Sequence, residues 1–324
     1  GAITITKYTG SGGEVVVPNE IDGVPVKTLA GWAFAGCATM TGIKLPSGLT
    51  GIEAFAFADC MGLTSMDLPK NVTDVGSLSF AGCDGLTRIN VDTENAVYTS
   101  DENGVLFDKA KKRLIRYPGG KKGNYAIPDD IRVLDDWAFG SCQNLTSVII
   151  SASVTNMTNG SVFNNCPQLR RIDVDSVNPA YSSSVDGILF NKGKTTLVGF
   201  PGGVGGKYEI PRGVTQIEHH AFGHCTKLVA VTIPDSVTRI GGQAFLCCDR
   251  LAAIIIPDKV TSIGGHTFAR CPALANVTVG SGVTNIESYA FGACENLTSV
   301  RFLGDAPAFV QDVFNGSDKV TVCY

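Results

Sequence analysis

The segment VTRIGGQAFLCCDRLAAIIIPDKVTSIGGHTFARC, residues 237–271, contains nearly the same sequence motif twice. Each copy reads Val-Thr-x-Ile-Gly-Gly, followed by a phenylalanine and then by a cysteine three residues later. A repeated cysteine has two broad interpretations. The chain is either a thiol or metal protein, or a scaffold in which the cysteine is a structural residue.

The same motif recurs along nearly the whole chain of 324 residues. A cysteine follows nine of the ten anchor phenylalanines by three residues, and Ser317 takes that place in the tenth unit. The cysteines are separated by 23 or 24 residues, or by 59, which is one period plus 36 residues. The anchors are Phe34, Phe57, Phe80, Phe139, Phe163, Phe222, Phe245, Phe268, Phe291 and Phe314.

Two units are lengthened by insertions that resemble each other. Residues 95–120, NAVYTSDENGVLFDKAKKRLIRYPGG, align without gaps to residues 178–203, NPAYSSSVDGILFNKGKTTLVGFPGG, at an offset of 83. The two turns, DKAKK and NKGK, indicate hairpin-like insertions. We interpret them first as structural elaborations of the repeat.

A single unit is too small to fold alone. LVAVTIP (residues 228–234) alternates apolar with small or polar residues and predicts a short strand. DSVTRI (residues 235–240) predicts a second, and the segment around the phenylalanine has room for one helical or 3₁₀ turn. Because such a unit cannot bury its own apolar face, the copies should stack into a solenoid with coils about 4.7–4.9 Å apart.

The 23-residue pattern LPxxVTxIGxxAFxxCxxLTSVxIP resembles the BspA-like leucine-rich repeat of bacterial surface proteins. The elements YSSSVDGILF and LVGFP resemble that family's elongated repeat, and residues 15–37 its first repeat. The resemblance implies an α/β-class, right-handed leucine-rich-repeat solenoid of about ten stacked coils. Short parallel strands would form the concave face, beside a second row of short strands and one-turn helices.

We expect one domain over residues 1–324. Within it we predict an N-terminal cap at 1–27, elongated units near 90–125 and 173–208, and a C-terminal cap at 303–324. The first residues have neither a basic nor an apolar segment of the kind found in signal peptides, so we expect a mature or trimmed N-terminus. No apolar run reaches the roughly 18–20 residues that cross a membrane.

The phenylalanines are predicted to form the core, with the cysteines as small buried residues beside them. Disulfides between coils and a reactive thiol are the alternatives. EHHAFGHC (residues 218–225) has three histidines and a cysteine, which either bind zinc or form a solvated turn. We expect no catalytic residue, cofactor or metal, because no phosphate-binding loop, nucleophile motif or facing pair of carboxylates occurs.

Two sets of positions are candidates for recognition. One is the exposed face of the first strand of each unit; the other lies two residues before each phenylalanine, where aromatic residues recur. Small solvated residues and gap-sealing aromatics are the structural alternatives. The strand-face candidates are Lys44, Asp67, Arg88, Asn90, Arg170, Arg171, Asp173, Thr232, Ile255 and Arg301; the aromatic candidates are Trp32, Trp137 and Tyr289.

Net charge and the family resemblance limit the functions that we expect. With 26 basic and 30 acidic residues the net charge is −4, which does not favour a nucleic-acid partner. The resemblance implies a non-enzymatic, cell-surface or secreted module for adhesion to a host or microbial surface protein, or to a glycan. The alternatives are a structural spacer or self-association module of a larger surface protein, and an enzyme with a concealed site.

Overall fold

Short strands and tight turns alternate throughout the computed structural model, which describes residues 1–158 and 160–324. The first half of the chain contributes the strands β1 Ile3–Ile5, β2 Gly13–Val16, β3 Glu20–Ile21, β4 Val24–Leu29, β5 Met40–Lys44, β6 Gly51–Ile52, β7 Ser65–Leu68, β8 Asp74–Val75, β9 Arg88–Val91, β10 Tyr98–Ser100, β11 Leu106–Asp108, β12 Arg113–Arg116, β13 Gly123–Ala126, β14 Val133–Leu134, β15 Leu145–Ile150 and β16 Asn156–Met157.

The second half repeats the pattern. Its strands are β17 Arg171–Val174, β18 Tyr181–Ser183, β19 Leu189–Asn191, β20 Thr196–Gly199, β21 Gly206–Glu209, β22 Gln216–Ile217, β23 Leu228–Thr232, β24 Arg239–Ile240, β25 Ala253–Ile256, β26 Ser262–Ile263, β27 Asn276–Val279, β28 Asn285–Ile286, β29 Ser299–Phe302, β30 Ala308–Phe309 and β31 Thr321–Cys323.

The coils stack as a β-solenoid, with equivalent strands of successive coils paired in parallel. In the register of β7 with β9, Ser65 lies opposite Arg88, and in that of β25 with β27, Ile254 lies opposite Val277. Each pair is 23 residues apart, so one sequence repeat is one turn of the solenoid. The predicted stacking of repeats is confirmed.

Contacts divide the chain into two compact units. The first comprises Gly1–Leu145 with Asn156–Thr158, and the second Thr146–Thr155 with Asn159–Tyr324. Each unit has its own apolar core. The predicted single domain with two caps is not tested by this division and stays a prediction.

The insertions form antiparallel meanders that end in an additional coil. β10, β11 and β12 pair in antiparallel order, and β12 then pairs in parallel with β14; β18, β19, β20 and β22 repeat the arrangement. The hairpin-like geometry is as predicted. The expected number of about ten coils is too low, since the described part of the chain makes about 14 turns.

The predicted one-turn helices, and with them the α/β class, are wrong. Among the described residues the only helix is a 3₁₀ turn at Gly160–Phe163. In the first regular coil the reason is that Trp32 adopts a left-handed φ of 66°, and Gly36 one of 75°. These interrupt helical geometry on both sides of Phe34, whose amide bonds instead to the carbonyl of Ala56 in the next coil, at 2.8 Å.

The anchor phenylalanines form the centre of each core. All are buried except Phe314, which is partly buried. Adjacent rings stack in parallel, with centroids 5.2 Å apart for Phe34 and Phe57 in the first unit and 4.8 Å apart for Phe222 and Phe245 in the second. Burying each ring contributes about 2–3 kcal/mol. In the inserted coils Tyr117 and Phe200 take the same place, on Phe139 and Phe222.

Candidate binding surface

A groove of about 670 Å³ runs across the strand face of the first unit. It crosses β5, β7 and β9, and strand alternation sets its composition. Ile43, Met66 and Ile89 point into the core, so the residues that follow them point outward. Those residues are Lys44, Asp67 and Asn90, and all three line the groove.

The groove is polar and carries charges of both signs. The Nδ2 of Asn90 donates to the Oδ1 of Asp67 at 2.8 Å, and Arg88 Nε donates to the Oδ1 of Asn90 at 3.4 Å. No carboxylate among the described residues lies within ion-pair distance of Lys44. Glu14, which sequence reasoning missed, completes one end. A row of donors and acceptors over a rigid sheet suits an extended polar partner.

In the second unit the predicted strand-face residues separate into two sets. Arg171 chelates Asp173, with Nη2–Oδ1 at 2.7 Å and Nε–Oδ2 at 3.1 Å, and also donates to the carbonyl of Val185. As an exposed pair, these two contribute little to stability. Arg170 is exposed just before β17.

The other set is more apolar. Ile255 and Arg301 both lie opposite Thr278, on the two strands that flank β27, while Thr232 is exposed on β23. Ile255 is 66% exposed and Val229 is 38% exposed. The charged and the apolar parts of the predicted surface are therefore on different strands.

Trp32, Trp137 and Tyr289 lie on turns rather than on strands. They belong to what we call the left-handed row, the residues two before each anchor phenylalanine, most of which have φ between 56° and 66°. Trp32 stacks on Phe55 with centroids 4.3 Å apart, and Tyr289 on His266 at 5.1 Å. Trp32 remains 59% exposed, so stacking does not remove it from solvent.

A second groove, of about 450 Å³, lies between turn residues of the second unit. Tyr289, His266, His224 and Arg270 are among the residues that line it. Burial, together with the charge of Arg270, lowers the pKa of His224. No group of three or more potential metal ligands occurs in residues 1–158 and 160–324.

The repeated cysteines form a ladder of hydrogen bonds along the coils. The thiol of Cys271 donates to the carbonyl oxygen of Phe245 in the preceding coil, with Sγ–O at 3.1 Å, and Cys60, Cys83, Cys248 and Cys294 repeat the contact. Within the described chain no cysteine forms a disulfide. Burial raises the pKa of the Cys225 thiol, which disfavours the nucleophilic thiolate.

The described part of the chain contains no helix with the length and apolar character that crossing a membrane requires.

Comparison with known proteins identifies the repeat. The family profile of the BspA type leucine rich repeat region matches residues 16–103, 121–186 and 206–321 in six copies. No curated protein is significantly similar to the chain.

Two solved structures share the fold. A leucine-rich repeat protein from Eubacterium ventriosum superimposes with a TM-score of 0.64 and 23% identity, over 100% of this chain and 80% of that one. A leucine rich cell surface protein from Faecalibacterium prausnitzii gives 0.56 and 24%, over 99% and 89%. At this identity the likeness concerns the fold alone. The family profile covers well over half of the sequence, and the chain therefore belongs to the BspA type leucine-rich-repeat proteins.

Proposed function

We propose that the chain is a non-enzymatic binding module, and that the strand-face groove of the first unit is its principal recognition surface. The observation that carries the proposal is the alignment of Lys44, Asp67 and Asn90 on three successive coils, in one open groove. Lys44 is exposed without a carboxylate partner among the described residues, so its ammonium group is available to a ligand.

The proposed partner is a host or microbial surface protein, or a glycan, met outside the cell. The solved structure from Faecalibacterium prausnitzii is described as a cell surface protein, and the repeat is of a bacterial surface-protein type. The proposal includes no cofactor, no nucleic acid and no membrane insertion by this chain. The secondary contact candidates are Arg88, Arg170, Arg171 with Asp173, Thr232, Ile255, Arg301, Trp32, Trp137 and Tyr289.

The test is binding of the full chain to a panel of extracellular-matrix proteins, bacterial cell surfaces and immobilised glycans. Lys44→Glu and Asp67→Lys reverse charges in the groove and should weaken any specific binding by about tenfold or more. Lys122→Glu is the matched control, since Lys122 is an exposed lysine of the same unit outside the groove.

Equal loss with the control variant would argue against the groove. No binding across the panel would instead favour the alternative function, a spacer or self-association module of a larger protein.

A further inference from the structure

The coil added by the first insertion is shorter than a regular coil on its turn side. Leu134 and Phe139 are five residues apart in the regular coil, with Trp137 of the left-handed row between them. In the inserted coil Leu114 pairs with Leu134 and Tyr117 stacks on Phe139, yet Leu114 and Tyr117 are only three positions apart in the sequence. The inserted coil therefore has no left-handed turn and adds no side chain to the row.

A cavity of about 270 Å³ lies in the first unit at this place. Leu78 and Trp137, the members of the left-handed row on either side of the inserted coil, both line it, and Ile115 and Arg116 of the inserted coil complete the wall. Where successive regular coils each supply an aromatic residue, the rings touch, as Trp32 and Phe55 do at 4.3 Å. The cavity occupies the place of the omitted side chain.

Arg116 places a buried positive charge in the wall of this cavity. The residue is 5% exposed, and its Nη1 and Nη2 donate to the carbonyl oxygens of Trp137 at 2.7 Å and Phe80 at 3.1 Å. Its Nε has no hydrogen-bond partner, and no carboxylate of the described residues lies within ion-pair distance. Asp135 pairs with Arg113 instead, at 3.3 Å. A buried charge without a counter-ion is costly, so an anion bound against Arg116 would be stabilised there, with Asp135 and Asp136 of the same wall opposing it.

The remaining wall combines hydroxyl groups, carboxylates and an aromatic ring. Ser77 and Thr158 supply hydroxyls, Asp135 and Asp136 supply carboxylates, and Trp137 supplies an indole. Carboxylates accept hydrogen bonds from hydroxyl groups, and the negative face of an aromatic ring attracts polarised C–H groups. The volume lies just below the roughly 300–1,000 Å³ of pockets for drug-sized ligands. One ring-sized polar molecule fits that description.

We propose that this cavity binds a single acidic sugar residue, with its carboxylate directed toward Arg116 and its hydroxyls toward the Asp135–Asp136 side. The bound sugar is either a free acidic monosaccharide or the terminal sugar of an acidic glycan. The site shares no residue with the strand-face groove, so variants of the groove and variants of the cavity test the two sites separately; of the secondary contact candidates, only Trp137 lines the cavity.

The second insertion provides an internal comparison. There, too, Leu197 and Phe200 are only three positions apart, but Gly199 stands at the position of Arg116. Gly160 stands at the position of Ser77, and a side chain on Gly160 would collide with the carbonyl oxygen of His219. The second copy thus lacks the charge, and its backbones lie close together at Gly160, whereas the first copy has both the charge and the space.

The test measures binding of D-glucuronate and D-glucose to the full chain by saturation-transfer NMR and calorimetry. A tetrasaccharide that ends in glucuronate distinguishes the two sources: tighter binding than the monosaccharide assigns the site to glycan ends, and equal binding assigns it to the free sugar. Glucuronate should bind at least about tenfold more tightly than glucose, because the neutral sugar leaves Arg116 without a counter-ion. Equal affinity for the two monosaccharides, or no binding of any of the three, would overturn the proposal.

Two variants locate the site. Arg116→Gly copies the natural residue of the second insertion and should abolish the preference for glucuronate. Ser77→Phe fills the cavity from its exposed rim without disturbing Arg116, and keeps the test decisive if Arg116→Gly destabilises the fold. Ser288→Phe, at the equivalent position of a regular coil, is the matched control and should bind as the parent does. Unchanged glucuronate binding by Ser77→Phe would contradict the site.

Discussion

The thiol of Cys294 donates to the carbonyl oxygen of Phe268, with Sγ–O at 3.0 Å, and one coil later the hydroxyl of Ser317 donates to Phe291 at 2.7 Å. The single unit without the repeated cysteine thus preserves the hydrogen bond with an oxygen donor. This contact explains why a cysteine recurs in the sequence. In these coils the buried phenylalanine carbonyl accepts from a small donor that lies three residues after the phenylalanine of the next coil.

Exchange of a cysteine for serine should therefore be tolerated. We expect Cys271→Ser to stay within about 1 kcal/mol of the parent in urea unfolding, and Cys271→Ala to lose about 1–3 kcal/mol, because alanine leaves the carbonyl of Phe245 unsatisfied. Equal stability of the two variants would show that the thiol only fills space.

Replacing the asparagine that begins each insertion should lower the free energy of unfolding more than replacing most other polar residues. Asn178 is fully buried, its Nδ2 donates to the carbonyls of Ser151 and Val154 at 2.8 Å, and its Oδ1 accepts from the amides of Ala180 and Tyr181 at 2.8 Å. We expect Asn178→Ala to lower the free energy of unfolding by at least about 3 kcal/mol, since four backbone groups lose their partner. The exposed Asn276 provides the control, as Asn276→Ala should have little effect on the urea midpoint.

The left-handed row should prefer residues that tolerate positive φ. Gln243 has a φ of 59°, which glycine adopts readily and a β-branched residue does not. Gln243→Gly should be neutral or stabilising, whereas Gln243→Val should cost roughly 1–2 kcal/mol. Differential scanning calorimetry of the pair provides the measurement, and a valine variant as stable as the glycine variant would contradict the backbone assignment.

Removing one ring from the aromatic core should open the neighbouring coils. Phe245 is fully buried between Phe222 and Phe268, with centroids 4.8 Å and 5.2 Å away. Phe245→Ala should cost about 3–5 kcal/mol, because the packed rings cannot collapse into the space. Hydrogen exchange should accelerate first in β24 to β27. A thermal melt identical to that of the parent would exclude this role, and Ile255→Ala, on the exposed face, serves as the comparison.

Mild acid should destabilise the second unit through His220. Burial, with smaller effects from His224 and His219, lowers the pKa of His220 to about 4, and its Nδ1 lies 2.9 Å from the Nδ2 of Asn164. The unfolded chain, with a pKa near 6.5, binds the proton more readily, so stability is complete above about pH 6.5 and falls as the pH drops toward 4.

Urea unfolding between pH 7 and pH 4 measures this dependence. His220→Gln should reduce the slope because it removes the titrating group. A slope unchanged in that variant would assign the pH dependence to other groups.

The repeat makes most of the architecture predictable from the order of residues alone. A 23-residue period with alternating apolar positions implies strands that stack one coil apart, and the observed register of Ile254 opposite Val277 follows directly. The insertions are recognisable in the same way, from their offset of 83 residues. The local conformation of the turns is not predictable, since left-handed φ at Trp32 or Gln243 has no signature in residue type.

Among the candidate sites, too, one could be predicted from the sequence and another could not. Strand alternation placed Lys44, Asp67 and Asn90 on one outer face, and these residues do lie together. Arg116 was missed, although LIRYPGG against LVGFPGG shows the difference between the copies. Sequence comparison does not reveal that an arginine inside a strand is buried against two carbonyl groups.

The sequence by itself determined the repeat, the stacking direction and the identity of the buried columns, because periodicity acts on every coil in the same way. Tertiary structure alone decided which coil departs from the rule. A turn that is two residues shorter leaves a cavity beside Arg116 in one copy, and in the other copy glycine lets the backbones meet, because space between coils depends on what both neighbours contribute.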